Sequence, residues 1–511
     1  MKEAKRVAKN TGILYAQMGI TVSMSLYTTR LVLAALGAED FGIFNVVGGA
    51  IVMLTFLNTA MAAASQRFMS FAQGEGNFKK QKNIFNISLV LHFLIAIIVI
   101  ILLEIVGYFL FNGILKIAPE RLDVAKLIYQ FLIISTFFTI ISVPYDAIIN
   151  AHENMLFVAI LRIGETILKL AIALFITYTI FDRLYVYGLL MASLSIVLMV
   201  VRQIYCHRKY EEVDINLKKY FNKPLFKEMT GFAGWSFLGS SSSILTNYGQ
   251  GIVINMFFGT AVNAAQGVSA QVSGQLSTFA RTMLKALNPL IAKSEGAGDR
   301  ILMLKASFIG SKLSFFLLTI FYVPVILEMP YIFGFWLKEV PEYAIIFCQL
   351  VLIRNLIEQL YITLISSIAA VGNIRKFQTY TAIINFLPLI AAYILFTLGY
   401  PPYALYFVFI IYSLSNGLIT LFFAKKECGL SIKEYFKDVI LKCILSFLIV
   451  LLLTAIPNHF MPEGFLRLIT VLAVSTIFFF IVVGLIGLTN YEKNMAKTIL
   501  NNVYSKYKTK L

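Results

Sequence analysis

Charge is what this chain has least of: 14% of its 511 residues are charged and 59% are hydrophobic, against roughly 25% charged in an ordinary soluble domain. That shortage excludes a soluble globular domain and leaves a polytopic membrane protein. Carboxylates are scarcer than cations, 26 Asp and Glu against 43 Lys and Arg. The resulting formal charge of +17 does not mark a nucleic-acid binder, because the basic residues form short clusters between apolar runs. That is how the cytoplasmic loops of a membrane protein are composed. Cysteine is equally thin. Cys206, Cys348, Cys428 and Cys443 lie far apart without CxxC or CxxH spacing, which signals neither a disulfide framework nor a metal site. His92 has no His, Cys or carboxylate at ligand spacing and reads as a packed histidine. No metal or cofactor is expected. A GxxxxGK[ST] phosphate loop is missing, so energy must come from an ion gradient, the membrane potential or consumption of product, and the coupling ion stays undefined. Met1 to Asn10 is short and basic, and no AxA-like cleavage site follows the next apolar run. That run reads as a first transmembrane helix, not a signal peptide.

What is present is apolar sequence in lengths of about twenty residues, enough for a bilayer core of roughly 30 Å. The pattern predicts an all-α polytopic protein of about fourteen spans. Six lie in an N-terminal lobe (1–206), six in a C-terminal lobe (229–426), and two more with a basic cytoplasmic tail in 427–511. Between the lobes, 207–228 is charged, lacks Gly and reads as a partly helical cytoplasmic linker. Lys and Arg gather in alternate connections, including Lys79, Lys80 and Lys82, the linker, and Lys425 with Lys426. This bias puts both termini in the cytoplasm. The other connections, GAEDF, FDRLY, GTAVN and GYPP, are short and leave no room for an external domain. Ser431 to Asp438 reads as a segment lying along the membrane surface before the last two spans.

The chain also repeats itself. Displaced by 222 positions, Gly37, Leu54, Gly74 and Gly76 fall on Gly259, Leu276, Gly296 and Gly298, and Asn77 falls on Asp299. Further on, LKIAPE answers LKEVPE at the same displacement. A unit of six helices crosses the membrane in one sense, so the copies form parallel repeats about an axis along the membrane normal, enclosing a central cavity.

Within the spans, several cations need an account, since each costs about 2.5 to 3.5 kcal/mol at a helix centre. Arg281 and Lys285 have no acidic neighbour within a turn, and they continue a polar row that contains Ser273 and Ser277. Gln17, Thr21 and Ser25 lead similarly to Arg30 on the first helix, and Asn247 and Gln250 lie on the seventh. These rows are the expected cavity lining. Hydroxyls also serve close helix packing, which accounts for any single Ser but not for the cations. Arg67 lies near a helix end, where snorkelling competes with a site role, and Lys126, Lys312 and Lys442 read as snorkelling side chains. Arg162, Glu165 and Lys169 share one helix face, and Arg354 with Glu358 is an i, i+4 pair, a possible charge network or simple internal salt bridges.

Arg30 to Gly49 (RLVLAALGAEDFGIFNVVGG), the turn QGEGN, the AHENM loop and FWLKEVPEYA resemble the polysaccharide-transporter branch of the multidrug, oligosaccharidyl-lipid and polysaccharide exporter superfamily, its O-antigen flippases most of all. The resemblance implies two six-helix lobes, often with two further C-terminal helices. It also implies transfer of undecaprenyl-pyrophosphate-linked oligosaccharide repeat units, O-antigen or capsule type, to the outer leaflet of a bacterial plasma (inner) membrane by alternating access. Lipid-linked oligosaccharide, membrane lipids and polysaccharide-assembly proteins are then the partners, and Arg30, Arg67, Arg281 and Lys285 the candidates for the anionic head group. Two rivals stand beside it. A drug or cation exporter of the superfamily should favour carboxylates in its cavity. A membrane glycosyltransferase or polymerase should show a sizeable loop or clustered carboxylates and histidines, and no such feature is apparent.

Overall fold

The computed structural model describes residues 2–54, 56–114, 117–337 and 340–494; helices joined by short connections make up the fold, with no strand among these residues. They divide into two compact units, one of Asn10–Phe237 with Ala292–Gly298, the other of Met1–Lys9, Leu238–Ile291 and Asp299–Leu511.

The first unit holds most of α1 (Lys2–Leu54), α2 (Phe56–Gly74), α3 (Phe78–Phe109), α4 (Pro119–Ala151), α5 (Met155–Tyr178), α6 (Arg183–Lys209), the single turn α7 (Leu217–Tyr220) and both ends of α8 (Lys223–Gly296). α1 is broken at Gly37, whose φ of 77° suits a residue without a Cβ. The break is clamped on both sides. Arg183 Nη1 donates to the Ala35 carbonyl at 2.9 Å, and Arg121 pairs with Asp40 and with Asp182, the N-cap of α6. Partial burial pushes the Asp182 carboxyl upward, but the Tyr185 N–H and the Arg121 guanidinium outweigh it and hold it below the usual range. His92 is fully buried, its Nδ1 2.8 Å from the Ser88 carbonyl, as its lack of ligand-spaced neighbours implied.

The linker docks on α3. Asn86 Nδ2 donates to the Asp214 carbonyl at 2.7 Å and Asn86 Oδ1 accepts from Asn216 N at 3.0 Å. Tyr220 and Lys82 both donate to Asp214 Oδ2, at 3.0 and 3.3 Å, and hold that carboxyl below its ordinary range.

In the second unit lie the middle of α8, α9 (Arg300–Leu327), α10 (Met329–Trp336), α11 (Ala344–Gln359), α12 (Ile362–Val371), α13 (Arg375–Thr397), α14 (Ala404–Cys428), α15 (Ile432–Tyr435), α16 (Leu441–Phe460) and α17 (Phe465–Val482). α8 is broken at Gly259, again at φ 77°. Here aromatic packing takes the place of ion pairs, with Phe257 5.2 Å from Tyr393 and Phe258 4.8 Å from Phe396.

The displacement of 222 therefore recurs in the geometry. Gly76 and Gly298 both have positive φ, and Asn77 and Asp299 both cap the helix that follows, accepting from Lys80 N and Leu302 N. In the first unit, a Cβ on Gly74 would overlap the Lys293 carbonyl, and one on Gly296 would overlap the carbonyl of Phe71. Phe71 and Lys293 are themselves 222 apart, so the contact is reciprocal between the copies.

Among the described residues, nine helices are long and apolar enough to cross a bilayer, fewer than the fourteen expected. α5 fails that measure because Arg162, Glu165 and Lys169 fall in every stretch of span length. Two expectations are corrected. Tyr435 does not lie along a membrane surface: it is fully buried, donates to the Leu360 carbonyl at 2.6 Å, and Ile432–Phe460 forms one span-length helix. Lys312 does not snorkel. It is 2% exposed and paired with Glu492. Just past the end of α9, Glu328 is fully buried and pairs with Arg467 at 2.9 Å and with Asn458 at 2.9 Å. One ion pair thus ties Arg467 of α17 to the C-terminal end of α9, a second ties Lys312 to Glu492 just beyond α17, and α16 joins through the hydrogen bond of Asn458. Lys442 lies 3.5 Å from Asp438.

Candidate functional site

In the second unit the row on α8 beyond its break faces α11 and α9. Ser273 Oγ accepts from Asn355 Nδ2 at 2.7 Å, and Asn355 also donates to the Tyr322 hydroxyl at 3.2 Å. Ser277 donates to the Ser273 carbonyl. Both serines are half-buried and occupied by the protein's own groups; four residues on, Arg281 is exposed, and Lys285 is half-buried. Among the described residues Arg281 has no ion-pair partner. One further turn along, Asn288 Oδ1 accepts from Ser366 on α12 at 2.9 Å.

Before the break, Asn247 is exposed and donates to the Ser243 carbonyl at 2.9 Å, whereas Gln250 is buried and donates to Asn247 Oδ1 at 3.2 Å. α11 adds Arg354, whose Nε donates to Glu358 Oε1 at 2.9 Å, while Ser413 on α14 donates to the same oxygen at 3.2 Å. Charge, hydroxyls and amides from four helices thus form one polar seam. Asn355, Tyr322 and Ser413 went unread in the sequence. The available signal was Asn355 beside Arg354, but its partners lie 82 and 33 residues away.

In the first unit, Gln17 donates to Thr21 Oγ1 at 3.1 Å, and Thr21 to the Met18 carbonyl at 3.1 Å. Ser25 is exposed, and the Arg30 side chain lies outside the described residues. Arg67 sits among rings, its Cζ 4.5 Å from Phe68, 4.9 Å from Phe71 and 5.3 Å from Phe232, with Glu228, Glu295 and Glu75 near enough to act on it. Lys169 pairs with Glu165 at 2.7 Å; Arg162 is exposed. No group of three or more His, Cys, Asp and Glu able to hold a metal ion occurs among the described residues.

The helical architecture matches solved transporters closely in shape and distantly in sequence. An outward-facing multidrug resistance MATE family transporter of the MOP superfamily superposes with a TM-score of 0.70 at 13% identity, over 84% of this chain and 98% of that one. A MATE in complex with MaD3S gives 0.71 at 12%, over 84% and 96%. A MOP superfamily transporter from Pyrococcus furiosus gives 0.67 at 13%, over 84% and 98%. No curated protein matches the chain. The fold is that of a MOP-superfamily transporter, a multi-pass membrane protein. The polysaccharide biosynthesis protein family model matches residues 7–295, more than half the chain, and the protein belongs to that family.

Proposed function

We propose that the protein is a flippase that carries an undecaprenyl-pyrophosphate-linked oligosaccharide from the cytoplasmic to the outer leaflet of a bacterial plasma membrane by alternating access. The observation that carries this reading is Arg281, an exposed guanidinium on a membrane helix with no ion-pair partner among the described residues. Such a charge needs an anion or water beside it, and a pyrophosphate offers oxyanions that a guanidinium grips through two parallel hydrogen bonds. Membership of a polysaccharide biosynthesis family supports the same substrate class. Lys285, Arg30 and Arg67 complete the cationic set in this reading. The rows through Gln17, Thr21 and Ser25 and through Asn247, Gln250, Ser273 and Ser277 hydrate the sugars, residues 1–206 and 229–426 act as the two lobes, and both termini face the cytoplasm.

The test is flipping of defined lipid-linked oligosaccharides by the purified protein in proteoliposomes. Transfer above that of empty vesicles supports the reading; its absence with correctly folded protein sinks it.

Export of a drug or organic cation is the second reading, favoured by the fold shared with multidrug MATE transporters. The Pyrococcus furiosus transporter is described as having a binding pocket of reverse polarity that suggests a different function, so pocket charge is a sound discriminator within this fold. Here the carboxylates of the seam and of α5, Glu358 and Glu165, are already held in ion pairs. Uptake of an organic cation by the same vesicles, unaffected by lipid-linked oligosaccharide, would favour the exporter.

A further inference from the structure

Arg354 is held on one edge and one face and left open on the other edge. Its Nε is engaged by Glu358 at 2.9 Å, and its Cζ lies 4.5 Å from the Phe409 ring. Ser413, one turn beyond Phe409 on α14, donates to the same Glu358 oxygen at 3.2 Å and so fixes the carboxylate as well. The Nη1 and Nη2 atoms have no hydrogen-bond partner among the described residues. Neither is among the buried atoms that lack a partner, so both keep accessible surface although the side chain is only 15% exposed.

A guanidinium fixed in this way presents two parallel N–H donors from a largely desolvated position, the geometry that matches an oxyanion bidentately. Glu358 lies close enough to the Tyr322 hydroxyl to act on it, and that hydroxyl accepts from Asn355, which also donates to Ser273 on the helix that carries Arg281, so the Arg354–Glu358 pair belongs to the same polar seam. Glu358 acts on the other side of the balance. A carboxylate on Nε orients the fork and also subtracts from its positive field, and a ligand that must cross needs a site weak enough to leave.

We propose that the Nη edge of Arg354 is a binding site for a phosphate or pyrophosphate oxyanion, and that Glu358 is a positioning residue that also weakens the hold. The proposal rests on the flippase reading only for what the phosphate is attached to. The experiment is calorimetric titration of inorganic pyrophosphate into the full chain in nanodiscs, repeated with discs containing undecaprenyl pyrophosphate or undecaprenol as competitors. Arg354→Gln should weaken pyrophosphate binding about tenfold or more, and Arg354→Lys should fall between it and the wild type, since loss of a hydrogen bond to a charged group is of that size. Glu358→Gln keeps an oxygen to accept from Nε and loses the negative charge, so binding should tighten several-fold, while both KM and kcat for transport fall.

Wild-type affinity in Arg354→Gln overturns the site, as does weakening in Glu358→Gln, which would make the pair a structural salt bridge. Where Arg354→Gln does not fold, Arg354→Lys and Glu358→Gln decide by the same criteria. Competition by undecaprenyl pyrophosphate and not by undecaprenol assigns the oxyanion to a lipid head group. Competition by neither, with tightening intact, assigns it to a soluble phosphate and leaves the site standing while the flippase reading falls. Flipping that proceeds normally in Arg354→Gln, with pyrophosphate affinity also unchanged, removes this site and leaves that reading intact.

Discussion

Arg281 and Lys312 are both cations within apolar helices, and their surroundings give them opposite consequences. Arg281 is exposed and Lys312 is buried against Glu492. Replacing Arg281 by Gln removes a charge-assisted contact and should lower transport about tenfold or more while abundance stays near normal. Lys at 281 keeps the charge but loses the planar fork, and Glu repels the anion. The expected order of flipping rates in proteoliposomes is wild type, Lys, Gln, Glu; normal flipping by the Gln variant would remove Arg281 from the site. Lys312→Met instead strands the Glu492 carboxylate inside the protein, for a cost of about 3–5 kcal/mol, and adding Glu492→Met should recover much of it. Thermal unfolding in detergent reads both, and a double variant no better than the single one would show that the pair is not coupled. Such pairs mark how far a sequence can be read. Arg354 with Glu358 and Glu165 with Lys169 were legible because four residues make one helical turn. Lys312 with Glu492 and Arg467 with Glu328 were not, since 180 and 139 residues separate the partners and only tertiary packing joins them.

Helices meet most closely where both copies of the repeat supply a glycine. The ends of α2 and α8 touch backbone to backbone at Gly74 and Gly296, so a methyl group there must displace a carbonyl. Gly74→Ala should lower stability by about 1–3 kcal/mol through overpacking. Gly164→Ala, on α5 with nothing within 4 Å of the added carbon, should not; equal unfolding temperatures for the two variants would refute the close contact. The glycine spacing was visible in the sequence, and so were the breaks at Gly37 and Gly259. What restrains each break was hidden, because Arg121 and Arg183 reach the first from other helices and rings pack the second. The linker carries a pH dependence of its own. Asp214, held low by Tyr220 and Lys82, has a folded value below its unfolded one, near about 3.9. Its contribution is therefore complete above that value and is lost as pH falls through the folded one. Pepsin should cut the 207–228 segment of the wild type progressively faster across that acid window, relative to Asp214→Asn at each pH. In the variant the contribution is already missing. A constant ratio between the two would show that Asp214 does not hold the linker.

For the whole molecule the central question is which ends of the helices face which side, and the charge pattern supplies a testable expectation. Basic residues cluster in QGEGN with its following lysines, in the linker and after α14, while GAEDF and GYPP carry almost none. Moving cationic loops across a bilayer against that bias is disfavoured, so the orientation proposed here puts the basic connections on the cytoplasmic side. The native cysteines, Cys206, Cys348, Cys428 and Cys443, are all buried, which keeps background labelling low. Single cysteines placed in GAEDF or GYPP should react with a membrane-impermeant maleimide in intact cells. Cysteines in QGEGN or 207–228 should react only after permeabilisation. The site depends on this result. An anionic head group made in the cytoplasm can reach Arg281 and Arg354 only if the chain is inserted in this sense and opens toward that side during its cycle, whereas a cation exporter imposes no such link between orientation and a cationic seam. Labelling of QGEGN and the linker from outside would reverse the topology and, with it, the direction of transport proposed here.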